Sequence, residues 1–395
     1  MKKFKRILII AANALCLIGI LAGTLAFRSI RATQTSQLAY KRWQGESDGH
    51  FAQVSVFAPK DAALSAGNVQ SFRGTIDAKL AEAGVLLPET GSLWRDAYCA
   101  VGSASLSTAR GSATALSYGI GGDYFLFHPL LLLSGQYLKP DDLTDDRVVV
   151  SEQLAWKLYG GTDLAGMSVR VNGADCIIAG VVRMESDFAA ERALGEETQI
   201  VFMPYSRFAG GGEPASDITC YELVMPEPLT GYAEQLVRGG LGSGKGVLTM
   251  ENSTRFTAGG VWKTLKSFGD RVMRTTPVVL PYWENAARYS ETLLSGILLL
   301  AALLCVLPAV TLVWLIVKGW ILAKKAVKSG VHKMGEAIES GRERRWERSE
   351  AKKHAAAEKA PSEAEPSEAP AESEAQDEAL QEVNRVVREI MQEKK

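Results

Sequence analysis

The chain has 395 residues, with 44 Lys and Arg against 45 Asp and Glu, a formal net charge of −1 and a hydrophobic share of 47%. That length is too great for one ordinary core, so a folded unit of one or two subdomains plus other segments is expected. The near-zero net charge hides separate basic and acidic blocks in the tail, and nothing in the composition points to nucleic acid.

The apolar residues are unevenly spread. The first run, ILIIAANALCLIGILAGTLAF over residues 7–27, is 21 residues without a charge. At about 1.5 Å per residue it spans a hydrocarbon core of roughly 30 Å. Lys2, Lys3, Lys5 and Arg6 precede it, which assigns residues 1–27 to a cytoplasmic N-terminus and first transmembrane helix. A cleaved signal peptide is the rival reading, but the apolar stretch is long for one and Phe27-Arg28 makes a poor cleavage site. Cys16 follows the bulky Leu15, which disfavours lipid attachment.

Residues 28–290 are expected to form one extracytoplasmic domain of the α+β class, because period-2 strands mix with amphipathic helices. Gln53–Ala58 alternates as a half-buried strand. Val69, Phe72, Ile76 and Leu80 then recur at helical spacing until Gly84. Ser103–Ala109 and Ser112–Tyr118 flank Arg110-Gly111, which predicts a hairpin turn. Val148–Val150 is a short buried strand, Ser151 caps a helix with Leu154, Ala155 and Leu158 inside, and Gly160-Gly161 ends it. Val169–Val171, Asn172-Gly173 and Cys176–Val182 form a two-residue hairpin, since Asn-Gly accepts positive φ. Ile200–Met203 and Cys220–Met225 are further strands; Gly210–Ser216 and Gly239–Gly246 are flexible loops.

The second apolar run, Leu293–Val317, has 25 uncharged residues and anchors a transmembrane helix over 291–318, with Pro308 and Gly296 tolerated inside it. Lys318, Lys324, Lys325 and Lys328 follow, so both ends of the chain are expected in the cytoplasm of a two-pass protein of the cell membrane. A basic helical segment over 319–354 precedes a disordered linker over 355–376, rich in Ala, Glu, Pro and Ser. Leu380, Val383, Val387 and Ile390 then recur at helical spacing in a short amphipathic helix over 377–395.

Signs of chemistry are scarce, and no catalytic, cofactor-binding or metal-binding residue is assigned. Gly239, Gly244 and Lys245 match the spacing of a phosphate-binding loop, but Gly246 stands where magnesium binding needs Ser or Thr, so a surface turn is expected. His50 and His128 lie far apart without ligand-spaced partners, and His128 is expected to pack near Pro129. No G-x-S-x-G elbow occurs. Asp141, Asp142, Asp145 and Asp146 lack the glycine and distal glutamate of a calcium loop and read as a solvated turn. Cys99, Cys176 and Cys220 lie outside the spans, an odd number that favours buried thiols over one disulfide plus a leftover thiol. An extracytoplasmic enzyme is therefore disfavoured.

The stretch from Gly122 to Val182 resembles the MacB-like periplasmic core domain of ABC-transporter permeases of the FtsX-like type. The resemblance rests on Asp123-Tyr124-Phe125, Gly135, Leu158-Tyr159-Gly160-Gly161, Asp163, Gly166, Asn172-Gly173 and Gly180-Val181-Val182, in that order, followed by Ile200–Pro204 and Tyr205. Spans before and after the domain repeat the family layout, so the likeness extends over roughly residues 1–318. These are structural glycines and turns, with no catalytic content. Such permeases continue into a coupling segment and two more membrane helices, so the resemblance implies a reduced form without them. It implies a noncatalytic membrane subunit of an ABC-type export or mechanotransmission complex, partnered by an ABC-type ATPase, a complete permease subunit and the lipid bilayer. The alternative is an envelope scaffold or sensor that binds through its outer domain and recruits a cytoplasmic partner by its tail.

Overall fold

The structure is a computed structural model that describes residues 2–357 except 60, 61, 63, 143, 196–197, 211–217 and 267–279. Two units divide the chain, Met1–Leu312 and Val313–Lys395. Most of the loop expected at 210–216, the linker from 358 on and the amphipathic segment 377–395 lie outside the described residues.

Helix α1 is Lys2–Thr33, followed by a 3-10 turn over Thr35–Leu38 and α2, Ala39–Gln44. Strand β1 (Phe51–Phe57) leads to α3 (Ala66–Glu82) and the long hairpin β2 (Arg95–Thr108) and β3 (Gly111–Gly122). Then come α4 (Tyr124–Phe127), β4 (Leu131–Gly135), β5 (Arg147–Ser151) and α5 (Glu152–Tyr159). The hairpin β6 (Ser168–Val171) and β7 (Ala174–Arg183) precedes α6 (Phe188–Leu194), β8 (Ile200–Pro204) and α7 (Tyr205–Ala209). Strand β9 (Cys220–Pro226), α8 (Tyr232–Gly240), β10 (Leu248–Glu251), α9 (Ala258–Lys266) and the long α10 (Tyr282–Ala357) complete the order.

Local chemistry explains many of these boundaries. Ser65 and Asn68 form a reciprocal capping box at the start of α3. Ser151 Oγ accepts from Leu154 N at 3.3 Å, capping α5, and also from Ile200 N at 3.0 Å, which ties that cap to β8. Gly160 ends α5 with φ 77°. Asn172 and Gly173 take φ 50° and 83°, as their hairpin turn requires. The β2–β3 turn differs by one residue from expectation: Thr108 pairs with Gly111, leaving Ala109 and Arg110 in the turn. Thr108 Oγ1 accepts from Arg110 N and Gly111 N, so a side-chain-held turn does what the glycine was expected to do.

The strands form one mixed sheet in the order β10-β1-β9-β2-β3-β8-β5-β7-β4. Strand β6 pairs both β2 and β7, so the pairings from β2 through β3, β8, β5 and β7 return to β2 as a closed ring. Outside this ring, β4 pairs β7, and β10-β1-β9 is covered on both faces. On one face Ala52, Val54 and Val56 pack with Val69, Phe72, Ile76 and Leu80 of α3 and with Ala233 and Val237 of α8. On the other, Phe51 and Phe57 pack with Ala39, Tyr40, Tyr282 and Trp283. Every residue of β1 is therefore buried, where the alternation predicted one solvated face. The polar residues of β1 point not to water but to the segments that join the domain to α1 and α10.

Two helices, Lys3–Thr33 within α1 and Tyr282–Lys353 within α10, are long and apolar enough to cross a membrane. They pack on each other through small residues: a methyl group at Gly19 would lie 2.9 Å from Leu304 Cδ1, and one at Gly23 would touch Ile297. Thr311 Oγ1 donates to Asn13 Oδ1 at 2.8 Å across the same pair.

Candidate functional site

Among the described residues, a dense buried polar cluster lies where these two helices meet the sheet. The loop after β10 presents Arg255, whose guanidinium Nη1 and Nη2 donate to Glu284 at 2.6 and 3.0 Å. Its Nε and Nη2 donate to Glu291 at 2.9 and 3.1 Å. Glu284 and Glu291 are seven residues apart, two turns along one face of α10, so a single guanidinium bridges them. Arg288, one turn after Glu284, donates to it from Nε at 2.8 Å and completes two cations against two anions. The side chains of Arg255, Glu284 and Glu291 are 1%, 0% and 1% exposed. Burial lowers the Arg255 pKa, but the two carboxylates outweigh it and hold the guanidinium charged, far above its ordinary range.

This cluster continues into the sheet. Asn252 Oδ1 accepts from Arg255 Nη1 at 3.4 Å, and Asn252 Nδ2 donates to Ser55 Oγ at 2.7 Å. Ser55 Oγ donates to Glu222 Oε1 at 2.8 Å, across the β1–β9 register. His128 Nε2 lies 2.6 Å from Glu222 Oε2, and the imidazole packs at a tilt of 40° against Trp283 of α10 with ring centroids 4.0 Å apart. The chain of contacts thus starts and ends on α10. Gly260 permits it: a Cβ there would come 2.3 Å from Thr254 O and 2.6 Å from Arg255 O.

The other helix is held by hydrogen bonds to backbone. Gln53 Oε1 accepts from Ala39 N at 2.9 Å and from Tyr40 N at 3.4 Å, and its Nε2 donates to Ser36 O at 2.8 Å. A side chain from β1 therefore caps α2, whose own N-cap Leu38 supplies no side-chain acceptor. Thr35 and Ser36 donate to Glu185 Oε1 at 3.0 and 3.3 Å. Arg42 donates to Thr35 O, Leu126 O and Phe127 O, binding the linker to α4. Below the joint, Phe27 and Ile30 of α1 pack with Phe256, Val261, Ala287, Leu294 and Leu298.

Mechanically, this arrangement fixes angle and register. A buried ion pair adds little net stability over apolar packing, but taking one partner away strands a charge. The start of α10 cannot slide or rotate against the sheet without unpairing Glu284 or Glu291.

The residues considered from sequence fall elsewhere. Lys245 is not in a phosphate loop: α8 runs into Gly240, where a Cβ would clash with Phe72 at 2.3 Å, so this glycine serves packing. His50 is exposed, and its carbonyl accepts from Glu227 N. His128 does not simply pack beside Pro129 but is buried between Glu222 and Trp283. In the acidic turn, Asp142 accepts from Lys139 N and Asp145 from Arg207. All five cysteines are free thiols, and Cys99 and Cys220 are register partners across β2 and β9. Among the described residues no group of three or more His, Cys, Asp or Glu is placed to hold a metal ion. The joint itself was missed. Glu284, Arg288 and Glu291 just ahead of an apolar run read equally as a solvated helical face.

Comparison with known proteins places this architecture. The profile of the MacB-like periplasmic core domain matches residues 16–222. The chain belongs to that family. The match contains Gln53, His128, Glu185 and Glu222, whereas Asn252, Arg255, Glu284 and Glu291 lie beyond it. Among solved structures, the periplasmic region of MacB from Actinobacillus actinomycetemcomitans is 19% identical, covering 57% of this chain and 95% of that one, with a TM-score of 0.37. The extracellular domain of the noncanonic ABC-type transporter YknZ from Gram-positive bacteria is 16% identical, covering 50% of this chain and 99% of that one, with a TM-score of 0.36. No curated relative matches the chain.

Proposed function

We propose that the protein is a noncatalytic membrane subunit of an ABC-type export or mechanotransmission complex, whose outer domain moves with ATP-driven changes on the other side of the membrane. The observation that carries this reading is the buried union of Arg255 with Glu284 and Glu291, which ties the start of α10 to the sheet. Membership of the MacB-like family supports it. The basic residues outside both apolar runs support an orientation with both ends in the cytoplasm and the 28–290 domain outside. The partners proposed are a cytoplasmic ABC-type ATPase, which supplies the hydrolysis, and a complete permease subunit.

Affinity capture of the tagged full chain from its native membrane at endogenous level, with mass spectrometry of the co-purifying proteins, tests this. An ABC-type ATPase and a permease in fixed ratio are the expected result. Recovery of envelope or cytoplasmic regulatory proteins alone replaces this reading with that of a scaffold or sensor.

A further inference from the structure

The three cysteines between the membrane helices do not stand alike. Cys176 lies in β7 opposite Val169, in the cluster that includes Leu154 and Leu158 of α5. Cys99 and Cys220 are direct register partners on β2 and β9, and both point into a different cluster, with Phe57, Tyr118, Tyr282 and Trp283. Each is 1% exposed. Their side chains are in hydrogen-bonding contact, and burial together with that contact pushes the Cys220 thiol well above its ordinary range. A count of three cysteines selects no pair; the strand register selects this one.

The pair occupies a particular place in the sheet. Strand β9 joins β10-β1-β9 to the closed ring through its pairing with β2, Arg95–Cys99 against Cys220–Val224. Cys99 and Cys220 are the last partners of this short ladder. Thr219 finishes that end, with its N and Oγ1 both donating to Cys99 O at 2.9 and 3.3 Å. Two residues beyond Cys220, Glu222 takes part in the polar chain that reaches α10 through Ser55 and His128. A covalent bond here would close the end of the ladder that holds the two parts of the sheet together.

Directly opposed residues of an antiparallel pair have Cα atoms about 4.5–5.5 Å apart, within the roughly 4.4–6.8 Å that a disulfide spans. The backbone spacing is thus already that of a bonded pair. What the folded pair lacks is access. The attacking species in thiol–disulfide exchange is a thiolate, and burial with a raised pKa leaves almost none. The same burial would shield a finished bond from reductants. The state of the pair is therefore set while the domain folds, when both thiols meet solvent.

We propose that Cys99 and Cys220 close as a disulfide when the domain folds outside the membrane, stapling β9 to β2 and leaving Cys176 a thiol. The oxidant is itself a disulfide, of a thiol oxidoreductase or of a small thiol. One cysteine thiolate attacks it, forming a mixed disulfide and releasing one thiol; the second cysteine attacks the mixed disulfide and releases the other. Two electrons and two protons pass from the pair to the oxidant, and one sulfur–sulfur bond replaces another. Oxidising surroundings come with the outward placement of residues 28–290 and depend on that reading; the choice of partners depends on the register alone.

Full chain taken from its native membrane directly into denaturant with excess iodoacetamide, then digested without reductant, gives the first test by mass spectrometry. A peptide pair joining Cys99 to Cys220 is expected, lighter by two hydrogens than its reduced halves and lost on reduction, with Cys176 alkylated. This product supports the bond whether or not the chain refolds in vitro. In the second test the reduced, unfolded chain is refolded in mild detergent with oxidised and reduced glutathione. The same bond is expected, and it should raise the unfolding temperature by about 5–10 °C over the reduced protein. Cys220→Ala should abolish bond and shift, and Cys176→Ala neither. Free thiols in both preparations, glutathione held on Cys99 or Cys220, or a bond to Cys176 overturns the pairing, and a bond without a shift overturns the staple. Free thiols in the membrane sample with the Cys99–Cys220 bond formed on refolding overturn the disulfide in the cell, and trace the failure to the surroundings of residues 28–290 and not to the pair.

Discussion

On one face of β1, Val54 and Val56 meet helices that begin and end inside the folded domain; on the other, Gln53 and Ser55 meet the chain that leads to α1 and α10. Alternate residues of a single strand thus serve two kinds of contact. Apolar packing is non-directional and tolerates small shifts at modest cost. Hydrogen bonds and ion pairs are directional, and when buried they are costly to leave unmade. The domain is therefore cohesive on one side and indexed on the other.

The largest expected effect comes from breaking the indexed side. Arg255→Met leaves Glu284 and Glu291 without their shared cation and should lower stability by about 3–5 kcal/mol. Thermal unfolding in detergent measures the loss. Hydrogen exchange localises it, with residues 282–291 expected to lose protection well before the closed strand ring does. Equal loss of protection in both places would remove the distinction between the two faces.

Gln53→Leu is the corresponding change at α1. It keeps the volume but removes the acceptor for Ala39 N and Tyr40 N, and an orphaned buried donor costs about 1–3 kcal/mol. Faster exchange over residues 35–44, with 282–291 unaffected, is the expected pattern. On the apolar face, Ile76→Val removes one methylene from a fully buried site at about 0.5–1.5 kcal/mol and should leave exchange at both joints as it was. A joint that loosens in Ile76→Val would mean that the faces are coupled through the sheet.

The legible and illegible parts of the molecule divide along the same line. The α3 stripe, the cap at Ser151, the αL stop at Gly160 and the Asn172-Gly173 hairpin could be read because each is decided within a few residues. Short elements with weak local signals were not read: β4, α6, α8, β10 and α9 take their form from the neighbours they pair or pack with. The joint was hidden for a different reason. Alternation in Gln53-Val54-Ser55-Val56 predicts one wet face, and only the covering of that face by distant segments turns its polar residues into internal partners. Arg255 meets Glu284 and Glu291 across 29 and 36 residues, a pairing that no local period announces.

Glu185 gives the smallest and most selective probe of the indexed side. Burial raises its pKa, against the Thr35 hydrogen bond and the nearby His128, which lower it. A carboxyl group with a folded pKa above its unfolded value binds more protons in the folded state between the two values. Stability therefore falls as pH rises from about the ordinary glutamate value of 4.5 through the raised one. Glu185→Gln keeps an oxygen to accept from Thr35 and Ser36 but cannot ionise. The variant and the natural protein should unfold at similar temperatures at the acid end of this window and diverge as pH rises, the variant being the more stable. Parallel curves would mean that Glu185 titrates alike in both states, so that its carboxylate stands charged at the α1 joint at no cost to folding.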